Sequence, residues 1–316
     1  MSTQHRLVLV LVLVAVAAAT TGCLHEPPPF VTDLPAGPLI IAHRGGADIA
    51  PENTMPAFDL AFAAPISAEV VELDLHTSAD GELMVIHDRS VDRMTGEGNG
   101  CATEQDSEEE TYGTVRVHEL TVAEVQAFDA GYCYEDPNAA ADAPDDERYP
   151  YRGQGVVIPT LREVLETHAD RRFILEVKQQ EPSVVEPLIA LLEELNRFDS
   201  VCFLDFDEEV TAEYREKAPE HACVSLSGQG IRCWASEAIM PFGGGACEDY
   251  DLGMVPHENG GFDLKKDRFV SNLQALGMPV FMWTVNEDDL MREVLELGVD
   301  GVVTDRPDAL RTILEE

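Results

Sequence analysis

The chain has 316 residues, and 60 Asp and Glu against 21 Lys and Arg give a formal charge of −39. Such a surface excludes nucleic acid as a partner, because phosphates are bound by neutralising them with Lys and Arg. A hydrophobic content of 45% excludes an intrinsically disordered chain, and the length suits one large domain of about 250 residues or two smaller ones.

Residues 7–19 (LVLVLVLVAVAAA) form an unbroken apolar run preceded by Arg6. The run is shorter than the roughly 20 residues of a membrane span. It predicts a cleaved export signal over residues 1–22. Thr20-Thr21-Gly22-Cys23 resembles a bacterial lipobox. It implies a lipidated Cys23, an envelope lipoprotein, and contact with the membrane only through that anchor. An ordinary signal peptide with an incidental Cys is the alternative. Residues 23–38 are Pro-rich and read as a stiff tether.

Export favours disulfides, and Cys101, Cys133, Cys202, Cys223, Cys233 and Cys247 remain. Six cysteines allow fifteen full pairings, and the sequence does not choose among them. Cys101 with Cys133 would staple an acidic segment, and Cys233 with Cys247 would close a Gly-rich loop. Cys202 and Cys223 sit in apolar runs, where buried free thiols are an alternative.

Nine apolar runs follow: 39–42, 70–75, 83–86, 173–177, 201–206, 222–226, 252–255, 279–285 and 299–303. Helical patterns lie between many of them, over Thr54–Ala64, Thr160–His168, Ser183–Leu195 and Asp288–Leu297. Continuous apolar strands alternating with helices indicate a parallel sheet covered on its outer face. Ser78-Ala79-Asp80-Gly81 is a turn with no room for a crossover helix. The run 83–86 therefore folds back on 70–75 as a hairpin arm. Eight parallel strands remain, and the expected fold is an α/β (β/α)8 TIM barrel over residues 39–314. Residues 95–155 break the pattern with 15 acidic and three basic residues, and read as a small acidic insertion.

Polar residues inside apolar strands carry the chemistry. Glu72, Asp74 and His76 share one face of their strand, because strand side chains alternate. Two adjacent carboxylates are costly to bury unpaired, and a hard divalent cation resolves the cost. A half-exposed strand with a solvated acidic face is the competing reading. Glu176 and Lys178 repeat the device, with Glu176 as a third carboxylate and Lys178 as a positive charge for an anion. His43 and Arg44 follow the first strand. There a His is placed for acid–base work and an Arg for phosphate, while Gly45 would let backbone approach a ligand. His87 ends the arm, opposite Asp74, and ranks above His76 as a second acid–base group.

Eight short motifs occur in one order. They are His43-Arg44-Gly45, Pro51-Glu52-Asn53-Thr54, Glu72-Leu73-Asp74, His87-Asp88, Ile158-Pro159-Thr160-Leu161, Glu176-Val177-Lys178, Trp283-Thr284-Val285-Asn286 and Thr304-Asp305-Arg306-Pro307. In this the chain resembles the glycerophosphodiester phosphodiesterases, over roughly residues 39–310. The resemblance implies a TIM barrel that hydrolyses glycerophosphodiesters to sn-glycerol 3-phosphate and an alcohol. It implies one divalent cation, Ca²⁺ first and Mg²⁺ or another metal second, bound by Glu72, Asp74 and Glu176. His43 and His87 would be the acid–base pair, Arg44 and Lys178 would hold the phosphate, and Trp283 would line the pocket. Glu52 and Asn53 would support the site. The stretch Leu204-Asp205-Phe206-Asp207 departs from the family's usual Ser-Phe-Asp. The loops at Gly243–Gly245 and His257–Phe262 would shape the alcohol side. A lysophospholipase D-like activity on intact lipids and a non-catalytic binding lipoprotein are the competing functions.

Overall fold

The computed structural model describes residues 26–98, 100–101, 114–226, 250–259 and 262–316. Its strands are β1 (Leu39–Ala42), β2 (Val70–Thr77), β3 (Leu83–Val85), β4 (Arg172–Val177), β5 (Val201–Leu204), β6 (Cys223–Leu226), β7 (Leu252–Pro256), β8 (Glu258–Asn259), β9 (Phe262–Asp263), β10 (Val280–Trp283) and β11 (Gly301–Thr304). Eight of them run parallel in the order β1-β11-β10-β7-β6-β5-β4-β2, and β1 closes the ring by pairing with β2. The expected barrel is the observed one. The arm is also as expected: β3 is antiparallel to β2, with Leu75 opposite Val85 and His76 opposite Met84.

Among the described residues, the helices longer than one turn are α1 (Met55–Phe62), α2 (Leu161–Thr167), α3 (Val185–Leu195), α4 (Glu208–Lys217), α5 (Asp267–Ala275), α6 (Asp288–Glu296) and α7 (Pro307–Leu314). Helices α4, α5 and α7 are additions to the sequence reading. The first of them is mostly charged and buries only Val210, Thr211 and Tyr214, too narrow a stripe to mark it as a helix. Helix α2 starts at a capping box: Thr160 Oγ1 accepts from the Glu163 N–H, and the Glu163 carboxylate accepts from the Thr160 N–H. This satisfies N-terminal amides that would otherwise lack partners. The motif around Pro159 is thereby structural, since its carbonyl also accepts from Val85 N–H on the arm at 2.9 Å.

Strand alternation sorts the apolar residues into two cores. Ile40, Val71, Leu73, Leu75, Phe173 and Leu175 face outward against the helices. Ile41, Val70, Ile174, Cys202, Leu204, Met254, Phe281 and Val303 face into the barrel. A third core joins Met84 and Ile86 of the arm to Val91, Met94, Val117, Val125, Ala130, Val156 and Ile158. The described part of the acidic segment is thus packed on the arm. Cys101 and Cys133 are bonded within it. Cys202 and Cys223 are bonded to each other rather than left as free thiols. They face the same interior from paired positions on β5 and β6. Cys233 and Cys247 lie outside the described residues.

The expected tether needs correction over its second half. Pro29–Thr32 is a single helical turn with Pro28 before it, and Phe30 is fully buried in the barrel-interior core beside Leu39 and Ile41. This end of the chain seals the barrel at the N-terminal ends of its strands. Phe30→Ala is expected to cost about 3–5 kcal/mol, as large aromatic truncations do. A thermal melt of the variant checks this, and an unchanged midpoint would show that the seal bears no load. Among the described residues no helix is long and apolar enough to cross a membrane.

Candidate active site

His43, Glu72, Asp74, Glu176, Lys178 and Trp283 are inward positions on barrel strands or directly after them, where the barrel's interior core gives way to polar groups. Ile41 is followed two residues later by His43, Val70 by Glu72 and Asp74, Ile174 by Glu176 and Lys178, and Phe281 by Trp283. The same parity takes Leu204 to Phe206 and Val303 to Asp305. Of these, His43, Glu72, Glu176, Lys178, Leu204, Phe206, Trp283, Val303 and Asp305 line a cavity of about 430 Å³ with Arg44, His87, Met254, Thr284 and Asn286, and Asp74 lies buried behind its wall. Catalytic faces of such barrels lie at this end.

Glu72, Asp74 and Glu176 are buried and each offers an oxygen within 4.8 Å of the others. The solvated-face reading is therefore excluded. Burial and the neighbouring Asp74 push the Glu72 carboxyl up to about 8. Burial acts the same way on Asp74, but Lys178 and Arg44, together with the Asn53 amide, hold its pKa below the carboxylate range. Glu72 Oε1 and Asp74 Oδ1 accept no hydrogen bond. Lys178 Nζ stands 2.5 Å from Glu176 Oε1 and 3.4 Å from Asp74 Oδ1. Hard oxygen donors with open lone pairs fit Ca²⁺ or Mg²⁺. A cation here would neutralise the carboxylates that now repel one another.

The turn after β1 positions the rest. Arg44 has left-handed φ of 52°, and Gly45 and Gly46 follow at 85° and 94°. This sharp turn lets Arg44 N–H donate to Glu72 Oε2 at 3.1 Å, while its carbonyl accepts from Asn53 N–H at 2.8 Å. Gly45 faces α1 and not a ligand. A Cβ there would meet Phe58 Cδ1 at 2.8 Å and Ala57 Cβ at 2.9 Å, so the glycine serves close helix packing. The Arg44 guanidinium reaches Glu52 Oε1 at 3.2 Å and Asp74 Oδ2 at 3.3 Å. Asn53 Nδ2 donates to Asp74 Oδ2 at 2.8 Å. Both residues of the Glu52-Asn53 pair thus brace the carboxylate cluster.

Each candidate histidine is pinned by a carboxylate. His43 Nδ1–H donates to Asp305 Oδ1 at 2.7 Å. A carboxylate only accepts, so the Nδ1 proton is fixed. Nε2 then lies 3.9 Å from Glu72 Oε2. Burial lowers the affinity of this ring for a second proton, but Asp305 outweighs it and the pKa rises to about 9. Asp305 is itself held by Asn286, whose Nδ2 donates to Oδ2 at 2.6 Å and whose Oδ1 accepts from Asp305 N–H at 2.9 Å. His87 Nδ1–H donates to Asp88 Oδ1 at 2.8 Å, and the ring lines the cavity. His76 is buried away from the cavity. Its Nε2 contacts the His87 carbonyl at 3.1 Å, and burial pushes its pKa down to about 4. It buttresses His87, in keeping with its lower rank.

The Thr304–Pro307 and Trp283–Asn286 motifs therefore hold a pair, Asp305 and Asn286, that the sequence reading quoted without giving it a role. Inward parity from Val303 is the signal that reaches Asp305. Asp207 N-caps α4, accepting from Glu209 and Val210 N–H groups. Burial raises the neighbouring Asp205 to about 7. Gly243–Gly245 lies outside the described residues, as do positions 260–261 of the other loop.

The pattern of the glycerophosphoryl diester phosphodiesterase family matches residues 43–309. The chain belongs to that family. A glycerophosphodiester phosphodiesterase from Caldanaerobacter subterraneus subsp. tengcongensis is 28% identical over 290 residues, covering 88% of this chain and 98% of that one. A lysophospholipase D from Mus musculus is 24% identical over 295 residues, covering 87% and 85%. Among solved structures, a glycerophosphoryl diester phosphodiesterase domain from Mycobacterium tuberculosis aligns with a TM-score of 0.68 at 20% identity, covering 88% of this chain and all of that one. An Oleispira antarctica phosphodiesterase, solved in complex with sn-glycerol-3-phosphate, aligns with a TM-score of 0.62 at 22% identity, covering 88% and 97%. At these identities the structural likeness speaks for the fold. Apart from the one around Pro159, the glycerophosphoryl diester phosphodiesterase motifs quoted above contribute residues that line the cavity or brace it.

Proposed function

We propose that the chain hydrolyses glycerophosphodiesters to sn-glycerol 3-phosphate and an alcohol, with a divalent cation and two histidines. The observation that carries this reading is the buried trio Glu72, Asp74 and Glu176, flanked by His43 and His87 with their Nδ1 atoms committed to carboxylates. The trio would hold the ion, with Ca²⁺ the first candidate. When bound, the ion draws negative charge from the phosphoryl oxygens as the transition state forms. Lys178 and Arg44, on the same wall, attract the phosphate and oppose its charge. One imidazole accepts the proton of the attacking hydroxyl. The other donates a proton to the departing alkoxide as the P–O bond breaks. The attacking hydroxyl is either water or the glycerol hydroxyl next to the phosphate; the second route gives a cyclic phosphate that water then opens. Trp283 Nε1 is buried with no protein acceptor, which suits a hydrogen bond to a substrate oxygen.

The sequence supports an exported protein with Cys23 as its lipidated first residue, a bacterial envelope lipoprotein. Mass spectrometry of the mature N-terminus tests that part; an unmodified Cys23 would rule out the anchor.

The similarity to a lysophospholipase D gives the second reading some weight. A panel of glycerophosphocholine, glycerophosphoethanolamine and lysophosphatidylcholine separates the two. The expected result is release of glycerol 3-phosphate from the first two at rates well above choline release from the third. Preference for the lysolipid would replace the first reading with the second.

A further inference from the structure

Arg93 does not line the cavity, yet it joins the groups that brace it. It leaves the short helix Asp92–Thr95, at the start of the segment that packs on the arm. Its NH1 and NH2 donate to Glu52 Oε2 at 2.9 Å and Oε1 at 2.6 Å. Its Nε donates to Asp88 Oδ2 at 2.6 Å. Glu52 is the partner of Arg44, and Asp88 is the partner of His87. One planar guanidinium therefore spans the distance between the carboxylate cluster and the second histidine. Its helix is fixed in turn by Asp92, whose carboxylate accepts from Thr114 and Val115 N–H groups, both at 3.0 Å.

We propose that Arg93 is a positioning residue for the reaction. By fixing Asp88 it keeps His87 with Nδ1 protonated and Nε2 turned toward substrate. The physical basis is the fork of donors unique to Arg. Two parallel bonds lock the plane against Glu52 while Nε remains free for Asp88. A lysine supplies the same charge but one point of attachment. Without the bridge, the Asp88 carboxylate retains its bond to His87 and loses the short Arg93 Nε contact that helps to set its rotamer. The ring can then turn with it. The segment after the arm would thus be part of the catalytic apparatus and not only an ornament on the barrel. This inference rests on His87 as one of the acid–base pair.

The test is kinetic, on the full chain with added Ca²⁺ and glycerophosphocholine, whose poor alkoxide leaving group needs the proton of a general acid, with choline release followed over long incubations so that weak variants stay measurable. Arg93→Gln is expected to lower kcat about 10- to 100-fold, the usual effect of removing a partner that orients a reactive imidazole, with KM changed less than about threefold. In a His87→Ala background the same substitution should lower kcat less than about threefold, because the ring it orients is gone. Equal losses in both backgrounds, or full activity in Arg93→Gln, would overturn the proposal. Arg93→Lys guards against a variant that fails to fold: it should melt close to the native protein and remain at least about tenfold down in kcat. Full kcat in Arg93→Lys would also overturn it. If His87→Ala alone were fully active, the acid–base reading would fall instead, and the two failures are distinct.

Discussion

His43→Ala and His87→Ala are each expected to abolish measurable release of glycerol 3-phosphate, a loss of about 10²- to 10⁴-fold in kcat, while the fold survives. The magnitude is that of a positioned general acid or base. Survival of the fold follows from the partners left behind. Asp305 loses His43, but its Oδ2 still accepts from Asn286 Nδ2 and its N–H still donates to Asn286 Oδ1. Asp88 loses His87 but keeps the Arg93 Nε donor at 2.6 Å. Neither substitution strands a buried carboxylate, which is the change that would cost several kcal/mol. Circular dichroism and a thermal melt establish the fold, and product analysis establishes the activity. Full activity in both variants would remove the acid–base assignment.

Glu72→Gln should separate stability from activity in opposite directions. In the metal-free protein, burial and Asp74 push the Glu72 carboxyl up from 4.5 to about 8. A carboxyl whose pKa is higher folded than unfolded opposes folding once the unfolded chain has released that proton. The cost begins as pH rises past 4.5 and is complete above about 8. The metal-free native protein should therefore lose stability across that window, and Glu72→Gln should lose less. The neutral amide keeps an oxygen for Arg44 N–H and removes the repulsion, so the variant should melt above the native protein at pH 8. It should also be inactive, because one of the three anionic donors for the ion is gone. Added Ca²⁺ should reverse the order of melting: it stabilises the native protein by about 2.7 kcal/mol at one hundred times its dissociation constant, and the variant far less. A variant that melts below the native protein without metal would show that Glu72 is not held under repulsion.

Much of the fold was legible because the barrel strands are buried on both faces and carry few interruptions. Their apolar runs stand out, and the short turn at Ser78–Gly81 forces the ninth run into the arm. The charged pairs in β2 and β4 were legible for the same reason: a carboxylate inside Val70–Leu75 has no structural excuse. The bracing network was not. Arg93 lies in an acidic, irregular stretch with no period, and its partners Glu52 and Asp88 come from other loops. Asp305 and Asn286 were visible as motifs, but their roles depend on a contact between the first and last strands, which only barrel closure brings together. The burial of Phe30 was hidden by its prolines, which read as linker, although the same prolines start a helical turn beneath the barrel.

The most direct measurement is a ³¹P NMR time course of glycerophosphocholine with protein first stripped of metal by chelation and then supplied with Ca²⁺. The diester signal should persist unchanged in stripped protein and give way to that of sn-glycerol 3-phosphate once the cation is added. Diester loss at the same rate before and after addition would contradict a site built on Glu72, Asp74 and Glu176. Persistence of the diester with every divalent cation tried would contradict the proposed hydrolysis itself.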